Sequence, residues 1–416
     1  MLTRPHHLAG DGARRAAGRL LLLVALACGW SAAGLFLWRS SVPSSLTLPH
    51  LDPRSFFTPQ QLARADSFQR VHQLLWIGST AALLAALAVY AATGARFMRE
   101  SAAGRIGTGM FLAMLGFALV WLVQVPFRIV GNWWDRHHAV SRASYLEVVL
   151  GGWLGLGVTF VLLCLAVLVV MGLAGLVGER WWLLAAPVFV AEALLFAFVQ
   201  PYLVTDAHPI RDPALAADVR RIARAEGEPG VRVEVEDVSR YTSSANAYAT
   251  GLGPSKRIFL WDTLLDGRFS EAEVRTVLAH EFGHHARDHL WKEIGWYALF
   301  AFPGAYLIAA GTRRRGGMAR PESVPLALLL LAALDLAALP LQNLISRHDE
   351  AEADWVALQT TRDPGSFVGL VERFQATSLD EPNPPTWEYV LLEDHPTLMQ
   401  RIAMAEAWRR RVAARR

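Results

Sequence analysis

The chain of 416 residues is short of charge: Asp, Glu, Lys and Arg make up 19% of it, against about a quarter in an ordinary soluble domain. It is also short of cysteine. Cys28 and Cys164 both lie in apolar stretches, so no disulfide framework is written and the redox compartment stays open. No internal repeat or low-complexity tract is evident, and no single basic stripe. The 40 Lys and Arg are nearly all Arg, scattered between apolar blocks, which argues against nucleic acid as a partner and for charge that flanks a membrane.

Apolar residues supply 53% of the chain, and they gather in blocks of about twenty, the length that crosses about 30 Å of hydrocarbon. Blocks at 20–38, 74–94, 106–126, 148–175, 182–203, 290–310 and 324–345 predict a polytopic membrane protein with seven spans in the lipid bilayer. The first block follows Arg4, Arg14, Arg15 and Arg19. Its length, and the lack of a clear small-residue cleavage site, predict a retained span rather than a signal peptide. The chain thus divides into a membrane region (1–203), a polar segment (204–289), two further spans (290–345) and a polar C-terminal segment (346–416). Glu192 and Asp335 fall inside spans, where ionisable groups are expensive; they are expected to face an interior cavity or to bond between helices.

The polar segment reads as a small α+β unit. It has a helical stretch around DPALAADVRRIARAEG, an alternating strand VRVEVEDV and an extended piece ANAYATGLGPSKRIFLWDTLL. Ser270, followed by Glu271 and Glu273, is expected to cap a helix running through VRTVLAHEFGHHARDHLW.

That helix carries His280-Glu281-Phe282-Gly283-His284, an HExxH pattern. At about 100° per residue the two histidines lie about 40° apart on one face and can share a metal ion, with Glu281 beside the open position as a general base for water. A catalytic zinc needs a third protein ligand. Leu290 occupies the place of the third metzincin histidine, and on a continuous helix His285 and His289 lie about 100° and 140° around from His284, so both are expected to be polar-face or membrane-interface residues. A better candidate is Glu350, at the end of the last apolar block. On a helix it shares a face with Asp354, which can accept a hydrogen bond from a ligand histidine, whereas Glu352 points about 200° away.

These residues carry a resemblance. The motifs SSANAYATG, KRIFLWDTLL, LAHEFGHHARDH, NLISRHDEAEAD and NPPTWEYVLLEDHPTLMQRI, over about 201–402, resemble the type 1 CAAX prenyl endopeptidases, seven-span zinc metalloproteases that cut prenylated proteins, and their bacterial homologues. The resemblance implies a mainly α membrane protein with seven helices enclosing a chamber and the α+β protease unit at one face. It implies one Zn2+ held by His280, His284 and Glu350, Glu281 as catalytic base and Asp354 as the acidic partner of a ligand. Asn246-Ala247-Tyr248 falls where the family presents a strand edge to a peptide substrate, a mode that gives affinity through the backbone. His395 and Arg401 match the tail motif. His395 is assigned to the oxyanion or substrate side, and Arg401 to holding the acidic cluster or substrate chain.

Phe282 and His285 stand where the family often has Leu and Trp, and neither departure touches a ligand. A composition rich in Ala, Leu, Arg and Gly points to a GC-rich bacterial gene. The expected substrate is then a prenylated protein or, in a host without them, a misfolded membrane protein or peptide. The resemblance places the catalytic face in the cytoplasm, although the Arg count over short loops leans mildly the other way. The rival readings are a polytopic transporter or receptor with a fortuitous HExxH, and a binding module stabilised by structural zinc. Nothing in the sequence sets an oligomeric state.

Overall fold

In the computed structural model, which describes residues 8–96 and 104–414, the apolar blocks fall on long helices. These are α1 (Leu8–Leu37), α2 (Pro59–Thr93), α3 (Gly104–His137), α4 (Gly152–Val177) and α5 (Trp181–Val199). After them come β1 (Ala207–Pro209), α6 (Pro213–Ala225), β2 (Arg232–Glu236), β3 (Ala247–Thr250), β4 (Arg257–Trp261) and α7 (Glu271–Ala286). The chain then returns to the bundle as α8 (His289–Thr312) and α9 (Val324–Thr361), and ends in α10 (Pro364–Ser378), α11 (Thr386–Leu391) and α12 (Leu398–Ala413). Arg4, expected to flank the first span, lies outside the described residues.

Among the described residues five stretches are long and apolar enough to cross a membrane: Pro59–Thr93, Gly104–His137, Phe160–Tyr202, His289–Arg315 and Pro321–Thr361. The difference from seven has two sources. α4 and α5 run together through the short turn at Gly178–Arg180, and α1 offers only the shorter apolar run Val24–Leu37. Of the two intramembrane acids, Glu192 on α5 interacts electrostatically with Tyr297 on α8, and Asp335 is exposed on α9.

α9 has 38 residues, so at about 1.5 Å per residue it is far longer than the hydrocarbon is thick. Its C-terminal part leaves the bundle and becomes a wall of the polar unit. There the four strands form one sheet in the order β1-β2-β4-β3, with β2 parallel to β4 and β1 and β3 antiparallel to their neighbours. The continuous apolar run Ile258-Phe259-Leu260 suits β4 to the buried interior of that sheet, and β3 is left at an edge. Ile258 and Leu260 share a core with Leu278 and Phe282 of α7, Phe367 of α10 and Ile402 of α12.

The Ser270 cap forms as expected. The Ser270 hydroxyl accepts from the Glu273 N–H at 3.3 Å, and the Glu273 carboxylate accepts from the Ser270 N–H at 2.6 Å. α7 stops earlier than expected, however. Arg287 ends it and Asp288 takes a left-handed φ of 55°, after which α8 starts in a new direction at His289. Membrane and polar regions are strapped together by the loop after α3, where Ser141 bridges to Thr242 and the Arg142 N–H donates to Tyr241 O at 2.7 Å.

Candidate metal centre

α7 lies flush against α9 because position 283 is glycine. A Cβ there would stand 3.2 Å from the Val356 Cβ and 3.4 Å from the Ala353 Cα. This close approach brings the HExxH face against the acidic face of α9. His280 Nε2 lies 3.1 Å from His284 Nε2 and 3.1 Å from Glu350 Oε2, and His284 Nε2 lies 3.5 Å from Glu350 Oε1. Four ligands around zinc at about 2.0–2.1 Å are separated by about 3.3 Å when tetrahedral, so three corners of such a site are present in these residues. The Glu350 Oε2 atom is also buried without a hydrogen bond, although two histidine nitrogens stand within 3.2 Å of it. A cation between the three would satisfy it.

The remaining polar atoms are held by partners. Asp354 is fully buried, accepts from His280 Nδ1 at 2.9 Å and takes a two-pronged ion pair from Arg401, Nε to Oδ2 at 2.9 Å and Nη2 to Oδ1 at 2.7 Å. With Nδ1 donating, His280 turns a lone pair on Nε2 toward Glu350. Considering protein groups alone, burial opposes a charge on His280, but the bond to Asp354 and the nearby Glu350 carboxylate outweigh that and raise its pKa to about 10. Burial drives His284 the other way, well below its ordinary value. Glu281 is buried beside them and burial raises its carboxyl to about 7.

His395 arrives from the loop before α12. Its Nδ1 donates to Asp394 at 2.7 Å and its Nε2 is 3.2 Å from Glu350 Oε2. Burial works against a charge there, yet the carboxylates of Glu350 and Asp394 raise its pKa. The loop is clamped from α9, as Arg347 donates to Tyr389 O at 2.7 Å and to Glu393 O and lies over the Tyr389 ring, while Asn343 donates to Val390 O. Neither clamp was expected. Their signal is the helical spacing of Asn343, Arg347, Glu350 and Asp354, which puts all four near one side of α9.

Across a cavity of about 270 Å³ from these groups lie Asn246, Ala247 and Tyr248. Asn246 immediately precedes β3, and its carbonyl accepts from the Trp261 N–H. The Tyr248 ring stacks on Phe259 and its hydroxyl bonds Glu236 at 3.1 Å, so its side chain is committed to the sheet.

Two histidines depart from their expected surface roles. His285 is buried and meets the Arg257 carbonyl through Nε2 at 3.0 Å. His289 is 1% exposed and stands behind His284, Nδ1 to Nδ1 at 2.9 Å, with its Nε2 3.1 Å from Glu352. The angle of about 140° holds only for an unbroken helix; the turn at Asp288 cancels it.

Comparison with known proteins agrees with this geometry. Residues 209–409, which hold every residue named in the centre, match peptidase family M48. The chain is 26% identical over 386 residues to an uncharacterized metalloprotease of Bacillus subtilis (strain 168), YhfN, covering 88% of this chain and 90% of that one. It is 28% identical over 207 residues to a CAAX prenyl protease 1 homolog of Oryza sativa subsp. japonica, about half of each chain. In fold it matches the crystal structure of S. mikatae Ste24p with a TM-score of 0.75 at 18% identity, over 91% of this chain and 96% of that one. The chain is thus a multi-pass membrane protein that carries, over 209–409, a segment similar to the M48 metallopeptidases. Over about half of its length it is similar to CAAX prenyl protease 1 homologs. A segment of that kind implies a metal, and peptide or protein substrates met in a membrane environment.

Proposed function

We propose that the chain is a zinc endopeptidase that hydrolyses peptide bonds of membrane-associated or prenylated CAAX-type proteins, working at the cytoplasmic face of a bacterial membrane. The observation that carries this reading is the trio His280, His284 and Glu350, spaced as three corners of a tetrahedron with buried Glu281 alongside. His280, His284 and Glu350 would hold a zinc ion there, which would supply a water acidified to a pKa of about 7 and polarisation of the substrate carbonyl. A structural zinc normally has four protein ligands, and three at one place favour a catalytic site.

The protein's own groups perform the rest. The edge strand β3 pairs with an extended substrate and lays the scissile bond across the cavity that Asn246, Ala247 and Tyr248 line. Glu281 takes the proton from the attacking water and hands it to the leaving amine, and a carboxyl that burial raises suits both transfers. His395, whose charged form the Asp394 and Glu350 carboxylates favour, donates Nε2–H to the oxyanion. Arg401 and Asp354 hold His280 in the tautomer that ligates. Counting α1, α2, α3, α4, α5, α8 and α9 as crossings gives seven spans around an interior chamber, with chain divisions at 203, 289 and 345.

Glu281→Ala in detergent-purified protein is expected to retain about one zinc and lose cleavage by about 10²- to 10⁴-fold. Mass spectrometry of a farnesylated CAAX peptide and its unprenylated counterpart reads the loss and ranks the two substrate classes. Undiminished turnover in the variant would sink the mechanism. Zinc without cleavage of either peptide by wild type would favour the binding module, and wild type without zinc the transporter.

A further inference from the structure

The side chains behind His284 have no part in the mechanism above, yet they are among the most buried polar groups in the molecule: His289 and Glu352 are 1% and 2% exposed. His289, Asp349 and Glu352 lie close enough together to suggest a second metal site. Its cation is already supplied by the chain, because the Lys292 ammonium sits 2.7 Å from Glu352 and 3.9 Å from Asp349. The Ser41 N–H, at the exit from α1, donates to the other oxygen of Glu352, and Lys292 also donates to the Arg39 carbonyl at 3.1 Å. Glu352 is therefore a fixed carboxylate with one free role, that of acceptor toward His289.

The donor and acceptor rules then run one way along the chain of rings. A carboxylate only accepts, so His289 donates to Glu352 through Nε2–H and keeps a lone pair on Nδ1. That lone pair faces His284 Nδ1 at 2.9 Å, so His284 carries its proton on Nδ1 and its lone pair on Nε2, the atom that faces His280 and Glu350. Asp354 sets the tautomer of His280 directly; Glu352 sets that of His284 through an intervening ring.

We infer that His289 is a positioning residue for the metal centre: tied to Glu352, it fixes the tautomer and ring orientation in which His284 offers Nε2 to the ion. The inference rests on the zinc reading above and extends it to residues on α8 and to the segment after α1.

The test uses full-length protein in detergent as wild type, His289→Phe and His289→Asn. Zinc affinity is read by competition with a chromophoric chelator, and ligand geometry by the visible spectrum after cobalt substitution. Phenylalanine keeps the ring volume and removes the acceptor, whereas the Asn Oδ1 occupies nearly the place of the imidazole Nδ1. The expected result is a loss of zinc affinity of about 10- to 100-fold in His289→Phe with an altered cobalt spectrum, and recovery of most of it in His289→Asn. Glu352→Gln, which keeps the size and one acceptor oxygen, is expected to lose less in the same direction. Wild-type affinity and spectrum in His289→Phe would overturn the inference and leave the ring a packing role. Wild type that takes up no zinc would instead overturn the metal reading itself.

Discussion

The membrane helices and the polar unit solve opposite problems. Along α1, α4 and α5 large apolar side chains point outward, with Leu35 73% and Leu176 82% exposed, because the surrounding lipid is as apolar as they are. In the polar unit Asp354, His289 and Glu352 are buried almost completely and every one has a charged or hydrogen-bonding partner. The contrast shows where energy is concentrated. An outward-facing side chain of the bundle can change with little consequence; around the candidate metal centre each group is bonded to another.

Asp354→Ala attacks that contrast most directly. It strips Arg401 of its ion pair inside the unit and should destabilise the protein by about 3–5 kcal/mol, seen as a lowered thermal midpoint in detergent. A drop no larger than that of a surface substitution would remove the contrast. Gly283→Val should come next, at about 1–3 kcal/mol, since even a Cβ meets Val356 and Ala353 at 3.2–3.4 Å and α7 has to move off α9. Zinc affinity should fall with stability here, and a variant that keeps both would refute the role of the close approach.

The pH profile sharpens the same comparison at one group. Burial raises Glu281 to about 7, and a bound cation beside it pulls the value back. A base is lost on protonation, so kcat/KM should fall tenfold per unit as pH drops below a limb lying between the ordinary carboxylate range and 7. A limb within the ordinary range would mean that the carboxylate is solvated during the reaction. The smallest effect belongs to the bundle: Leu176→Ala, at a side chain facing outward, should change stability by less than about 0.5 kcal/mol in the same melting experiment.

Much of the metal centre was legible because it is written in helical periodicity. His280 and His284 share a face by spacing alone, as do Glu350 and Asp354, and the Ser270 cap is a short-range pattern with its own chemistry. The same reasoning misplaced His289, since it carried one helix past Arg287. Nothing in RDHL announces that Asp288 will adopt a left-handed conformation. The seven blocks and the five long apolar stretches differ for a related reason, because apolar length does not say whether two helices joined by a three-residue turn cross once or twice.

The sequence by itself determined that this is a membrane protein with an HExxH helix and an acidic helix downstream, since hydropathy and 3.6-residue spacing are properties of a single segment. Only the tertiary structure decided that α7 and α9 meet at Gly283, that Arg347 clamps the loop bearing His395, and that Glu352 reaches His284 through His289. Those are contacts between segments far apart in the chain. They depend on how close two backbones approach and on which buried donor finds which acceptor, and no local pattern encodes either.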